Sequence, residues 1–129
     1  MAEPWTHLNL DQVEDAAPGN GFGERWEARV AGEDLGARRT GLTHFRLHPG
    51  RRSPFNHRHR VAEEVYVVLS GGGFVKLGDE VRPVAPLDAI RIGPAVPRAF
   101  EAGPDGLEMI AFGPHHAGDG EPVDDDWVK

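Results

Sequence analysis

The chain has 129 residues, a formal net charge of −7 and no cysteine. This length suits one domain with one hydrophobic core, and the lack of cysteine excludes disulfides and thiolate metal sites. The negative charge argues against nucleic acid or an anionic membrane as a partner, because phosphate contacts need an excess of lysine and arginine.

The amino-terminal sequence MAEPWTHLNLDQVEDAA contains acidic residues and no apolar segment, so it does not resemble a signal peptide. No stretch reaches the ~18 consecutive apolar residues that a membrane-spanning helix needs. We therefore expect a cytoplasmic protein.

Seventeen glycines and eleven prolines interrupt the chain and predict short strands joined by turns. Residues 5–10 alternate loosely and predict an edge strand, and residues 11–23 predict a loop. Trp26, Ala28 and Val30 alternate with charged residues, which predicts a half-buried strand.

Further strands are predicted at 42–48, around His57 and His59, from Glu64 onward, and at 74–77, 81–84, 88–92, 96–102 and 107–113. Turns are predicted at 71–73, 78–80 and 103–106, where glycine tolerates positive φ angles. About nine antiparallel strands at this spacing indicate a β-sandwich or a β-barrel. Residues 114–129 form an acidic tail, expected to be mobile unless Trp127 docks on the domain.

The most informative stretch is GRRSPFNHRHRVAEEVYVVLSG, residues 50–71. In a strand, His57 and His59 direct their imidazoles to the same face. A carboxylate on the next strand would complete a three-ligand site, which suits iron, manganese, nickel or zinc.

Two residues are candidates for this carboxylate. Glu63 shares a strand face with Val65 and Val67, which favours it as the inward residue, whereas Glu64 shares a face with Tyr66. The residues alone leave both candidates open.

The spacing Gly50, six residues, His57-x-His59, four residues, Glu64, six residues, Gly71 resembles the first motif of the cupin superfamily, with one extra residue before the first histidine. The resemblance favours Glu64 as the third ligand. It implies a jelly-roll β-barrel over residues 42–113, with residues 1–41 packing on the barrel as strands and loops. Small cupins are often homodimers, so the resemblance also implies a homodimer.

Residues 87–102 are similar to the second cupin motif, but Arg98 stands where the family has its last metal-binding histidine. A guanidinium cannot ligate metal. Arg98 is therefore expected either to pair with Glu64 in a metal-free site, to grip an anionic substrate beside a metal, or to turn outward.

The resemblance assigns ligand binding to Arg98, Tyr66 and Phe100. His44 and His48 are weaker candidates for a fourth metal ligand, because the Phe45 face of their strand suits the interior better.

Two functions follow from the resemblance, and for both a small, anionic organic ligand is expected. One is a metal-dependent enzyme of the dioxygenase or isomerase type, acting on a small organic acid or sugar. The other is a metal-free domain that binds or senses a small molecule. The sequence does not decide between turnover and binding.

Overall fold

The computed structural model describes residues 4–129 and contains eight β-strands and three short 3-10 helices. The strands are β1 (Trp26–Val30), β2 (Thr40–Leu47), β3 (Asn56–His59), β4 (Glu64–Leu77), β5 (Glu80–Val84), β6 (Ala89–Ile92), β7 (Arg98–Pro114) and β8 (Gly120–Val123). The 3-10 helices are Leu10–Gln12, Pro18–Asn20 and Asp126–Val128. Within the described residues, no helix has the length and apolar character needed to cross a bilayer.

The two longest strands, β4 and β7, pair with each other and take part in both walls of a barrel. The first half of β4 pairs with β6 and with the second half of β7, which continues to β2 and β1. The second half of β4 pairs with β5 and with the first half of β7, where β3 and β8 are added. Every pairing is antiparallel, and the result is the predicted all-β jelly-roll barrel.

Glycines allow β4 and β7 to bend from one wall into the other. Gly71 has a φ of +74°, and a Cβ atom there would overlap the carbonyl oxygen of Gly106. The register between the two strands also shifts between Gly71 and Gly73. The predicted turns at 71–73 and 103–106 are therefore wrong: both stretches are bends within continuous strands, so that β4 and β7 each join two of the predicted strands.

The predicted edge strand at residues 5–10 is also wrong. Trp5 is 73% exposed. The side chain of Asn9 accepts a hydrogen bond from the backbone N–H of Asp11 and begins a 3-10 helix. Asparagine at this position satisfies a free backbone donor, so it competes with extended structure.

The core lies between the two walls, as the strand alternation predicts. Trp26 and Ala28 of β1 are buried, whereas Val30 is 58% exposed and lines the opening at one end of the barrel. The other wall contributes side chains such as Phe100 and Val75. A fully buried side chain of this size stabilises the fold by about 1.5–3 kcal/mol.

The segment after Gly113 docks on the barrel through β8 and Trp127. Strand β8 pairs with β3 in antiparallel register. The guanidinium of Arg52 lies 4.3 Å from the centre of the Trp127 ring, a cation–π contact. Asp125 accepts hydrogen bonds from Lys76 (2.9 Å) and Asn56 (2.8 Å). The tail was expected to be mobile unless Trp127 docks, and Trp127 does dock on the barrel.

Asp125→Asn is expected to lower the free energy of unfolding by about 2 kcal/mol at neutral pH. Burial raises the pKa of Asp125, but the hydrogen bonds from Lys76 and Asn56 outweigh it and lower that pKa to about 2. A carboxylate whose pKa is depressed by folding contributes stability above its unfolded pKa of about 4, and this contribution is lost as the pH falls toward 2. Urea unfolding at several pH values measures the difference.

Asp124→Asn is the control, because the Asp124 side chain is 89% exposed and pairs only with Lys129. Equal unfolding free energies for the two variants at neutral pH would contradict the role given to Asp125.

Candidate functional site

The two histidines of β3 face the barrel interior together. Because His57 and His59 are two residues apart in an extended strand, they share a face, and their ring centroids lie 5.2 Å apart. The pairing of β3 with β8 on one side and with β7 on the other fixes this strand. The structure therefore brings the two imidazoles into one space.

Glu64, at the start of β4, completes the group. Each of the three residues offers one ligand atom, and these atoms of His57, His59 and Glu64 lie within 4.8 Å of one another. Glu63 points the other way, and its carboxylate pairs with the exposed Arg91 at 3.2 Å. The structure therefore brings Glu64, and not Glu63, next to the two histidines.

The strand face that the residues alone favoured as the inner one, the face of Glu63, is the outer face of β4. Tyr66 and Val68, on the Glu64 side of β4, are 2% and 0% exposed, whereas Leu69, on the Glu63 side, is 40% exposed. The outer face of β4 also carries apolar side chains, so hydrophobicity alone did not identify the inner face.

Arg98 begins β7 opposite His57 and is fully buried. Its Nη1 donates to Glu64 Oε1 at 3.0 Å. Its other donors reach backbone carbonyls: Nε donates to Val96 (3.1 Å), and Nη2 donates to Gly93 (2.9 Å) and Pro94 (3.4 Å). Of the three expectations for Arg98, this geometry matches the pairing with Glu64.

Both histidines have a ring nitrogen available as a ligand. Burial lowers the pKa of His57 to about 3, and repulsion from Arg98 and His59 acts in the same direction. The imidazole of His57 is therefore neutral at physiological pH. The Nε2 atom of His59 is buried without a hydrogen-bond partner, 3.6 Å from Glu64 Oε1. An unpaired buried nitrogen costs free energy, and a ligand on it would remove that cost.

The sequence analysis missed Asp119, which lies in the turn before β8. Its Oδ2 is 3.2 Å from His59 Nδ1, and the carboxylate also accepts from the backbone N–H groups of Val61 and Ala62 at 2.9 Å. Burial raises the pKa of Asp119, but these backbone donors outweigh it and hold the pKa below its usual value. Nothing near Asp119 in the sequence distinguishes it from the other acids of the tail.

The weaker histidine candidates do not join the group. His44 lies on the outer face of β2, where its Nε2 is 2.8 Å from Glu108 Oε2. His48 Nε2 is 3.0 Å from the carbonyl oxygen of Gly23. The Nε2 atom of each histidine binds a protein group away from the candidate metal ligands, so the structure does not bring either residue to the site as a fourth ligand.

The predicted ligand-binding residues Arg98, Tyr66 and Phe100 line a small cavity beneath the histidines. Its volume is about 10 Å³, enough for one water molecule at most. Tyr66 packs against Phe100 with ring centroids 4.8 Å apart. Burial and the Glu64 carboxylate raise the pKa of Tyr66 well above its ordinary value. These three residues therefore form the floor of the site, and the cavity has no room for an organic ligand.

A larger pocket opens at the end of the barrel, on the other side of the histidines. We call this the mouth pocket; it has a volume of about 470 Å³, within the range of small-molecule sites. His59, Glu64 and Asp119 reach it from the metal-ligand side. Thr43 and Ala111 are part of its wall, and the exposed His115 lies beside it.

Comparison with known proteins decides the family. The profile described as "Cupin domain" matches residues 43–112, more than half of the chain. The chain belongs to the cupin family. Curated proteins give no match to this cupin.

Solved structures of three differently named proteins share the fold. The polyketide cyclase RemF from Streptomyces resistomycificus has a TM-score of 0.74 at 22% identity, covering 94% of this chain and 87% of that one. A putative sugar phosphate isomerase from Acidithiobacillus ferrooxidans has a TM-score of 0.72 at 22% identity, covering 89% and 79%.

Oxalate decarboxylase from Bacillus subtilis has a TM-score of 0.73 at 17% identity. The match covers 90% of this cupin but 31% of the decarboxylase, so the chain spans about a third of that enzyme. At these identities the likeness establishes the fold and leaves the reaction open.

The donor set of this cupin fits a divalent metal. Two imidazoles and one carboxylate are ligands that iron, manganese, nickel and zinc accept. The unpaired Nε2 of His59 points to the same conclusion. Arg98 disfavours metal binding, because a positive charge repels a nearby cation. The ion pair with Glu64 offsets that charge.

Arg98→Met is expected to lower the free energy of unfolding by about 3–5 kcal/mol, because it leaves Glu64 without its buried partner. The matched control is Arg91→Met, which removes an exposed pair with Glu63 and should cost less than about 1 kcal/mol. Urea unfolding measures both.

Adding Glu64→Gln to Arg98→Met removes the unpaired charge and should restore part of the loss. If the Arg98→Met variant is as stable as the Arg91→Met control, the ion pair does not stabilise this end of the barrel.

Proposed function

We propose that this cupin binds a small organic molecule in the mouth pocket, next to a divalent metal held by His57, His59 and Glu64. The observation that carries the proposal is the position of these three residues. Their ligand atoms converge, and two of the residues, His59 and Glu64, also line the pocket. A ligand in the pocket would therefore lie against the metal ligands.

The chemistry that a divalent cation supplies at such residues is Lewis-acid polarisation of an oxygen atom on the ligand or on water. The chain's own contribution is position and charge. Arg98 holds the Glu64 carboxylate from below with a guanidinium that reaches no solvent. His57 stays neutral, so its lone pair is free for coordination.

The lining of the mouth pocket restricts the ligand. Glu33, Glu64 and Asp119 are among its residues, and no lysine or arginine lies among the described residues that line it. An anionic ligand gripped by Arg98 was expected from the sequence, but Arg98 lies in the floor with its donors engaged. We therefore propose that an anionic ligand binds only together with the metal, and that without metal the pocket favours neutral molecules.

A metal-free binding or sensing domain is the second candidate, and the Arg98–Glu64 ion pair favours it. A guanidinium occupies the position at which the family places a metal-binding histidine, and it already engages one of the three ligands. In this alternative the pocket binds a small molecule without turnover.

Metal titration distinguishes the two candidates. The purified protein is expected to bind Co²⁺ or Zn²⁺ stoichiometrically, and His57→Ala should weaken that binding by more than about 100-fold, since it removes a direct ligand. His7→Ala is the control, because His7 is exposed and lies outside the group. Isothermal titration calorimetry gives the affinities.

Arg98→His adds a third imidazole, and with it a fourth candidate ligand, and should raise the affinity further. If the parent protein binds none of iron, manganese, nickel, cobalt and zinc while Arg98→His does, the metal-dependent function fails and the metal-free alternative remains.

Cytoplasmic location stays a prediction from the sequence.

We also propose that the protein forms a homodimer through the outer face of β2, β7 and β4. The strand registers place Leu42, Phe112 and Val65 in one row on this face and Ile110 and Val67 in the next. Burial of such a row against a second copy would remove apolar surface from water.

Sedimentation velocity at micromolar concentration is expected to give a dimer, and Phe112→Glu should give a monomer. Phe74→Glu serves as the control, because Phe74 is similarly exposed (42% against 40%) but lies on the other half of β4. A monomeric parent protein would end the proposal.

A further inference from the structure

The Asp119 carboxylate is fixed against His59 by groups on both sides. It is buried, with 8% of the residue exposed. Backbone N–H groups of Val61 and Ala62 donate to its two oxygens, so the carboxylate cannot rotate freely. The pairing of His59 with Gly120 across β3 and β8 holds the two backbones in register. The contact between Asp119 and the imidazole is therefore a built feature of the fold.

This contact determines which ring nitrogen of His59 carries the proton. An ionised carboxylate only accepts hydrogen bonds, so Nδ1, 3.2 Å away, must be the donor. In a neutral imidazole the lone pair then lies on Nε2. That atom is the one buried without a hydrogen-bond partner.

We propose that Asp119 is a positioning residue: it sets the tautomer of His59 and aims the Nε2 lone pair at the candidate metal site. Carboxylate–histidine pairs of this kind orient metal ligands and raise their basicity. The inference deepens the proposed function and rests on it for the metal, but the tautomer of His59 belongs to the metal-free protein as well.

Asp119 also alters the charge balance of the site. Glu64 and Arg98 cancel as a pair, and Asp119 adds one negative charge behind His59. That charge lies on the side of the ring away from the ligand atoms and would favour a cation on the other side. Asp119 thus offsets the arginine that occupies the place of the family's third histidine. It does so from outside the matched region, which ends at residue 112.

The first test is the tautomer of His59 in the metal-free protein at neutral pH. Long-range ¹H–¹⁵N correlation spectra of histidine-labelled protein are expected to show His59 protonated on Nδ1 and unprotonated on Nε2. In Asp119→Asn the introduced amide can donate to Nδ1, so a shift toward the Nε2-protonated form is expected. Two results for the wild-type protein would overturn the inference. One is His59 protonated on Nε2 alone, and the other is His59 protonated on both nitrogens, as a bridge between Asp119 and Glu64.

The second test is Co²⁺ binding, followed by visible absorption. Asp119→Asn should weaken it by about 10–100-fold. Glu121→Gln is the matched control, because Glu121 is a carboxylate of the same segment that pairs with Arg58 and Arg60 and does not contact the histidines. It should bind Co²⁺ as the parent does.

The outcomes separate the inference from the proposed function. A parent protein that does not bind Co²⁺ removes the metal site, whereas the His59 tautomer still decides the role of Asp119. A folded Asp119→Asn protein with unchanged tautomer and unchanged Co²⁺ affinity would overturn the inference even if the metal site is real. Should that variant fail to fold, the wild-type spectrum alone supports or overturns it.

Discussion

The buried ion pair between Arg98 and Glu64 is the interaction on which the site depends. A guanidinium that has left water needs an acceptor for nearly every N–H group, and Arg98 finds one carboxylate and three backbone carbonyls. These bonds tie the start of β7 to the start of β4 and to the loop before β7. The same pair closes the floor beneath the two histidines.

The site is an arrangement of residues with separate tasks. The imidazoles of β3 and the carboxylate of β4 can hold a cation, and the aromatic floor keeps water out from below. The mouth pocket above provides the space for a ligand. The solved cupin-fold structures carry names as different as cyclase, isomerase and decarboxylase, so the barrel alone does not specify a reaction.

Local patterns predicted the parts of the structure that depend on local physics. Alternation in an extended strand was enough to bring His57 and His59 to one face, and the motif spacing selected Glu64. Two features needed long-range information. The glycines at 71 and 73 look like turn residues, and only the approach of β7 to β4 shows that they bend a continuous strand. Asp119 reaches His59 across 60 positions of sequence, so no short window could contain the contact.

The sharing of β4 and β7 between both walls has a consequence for how a molecule enters. Hydrogen bonds run between these strands from Val65 to Leu77 and from Arg98 to Phe112, so neither wall can swing away without breaking that ladder. The end of the barrel is therefore the open side of the mouth pocket. Residues of the segments 32–37 and 115–119 line it, and changes in length or sequence there would alter the shape of the opening while the barrel stays intact.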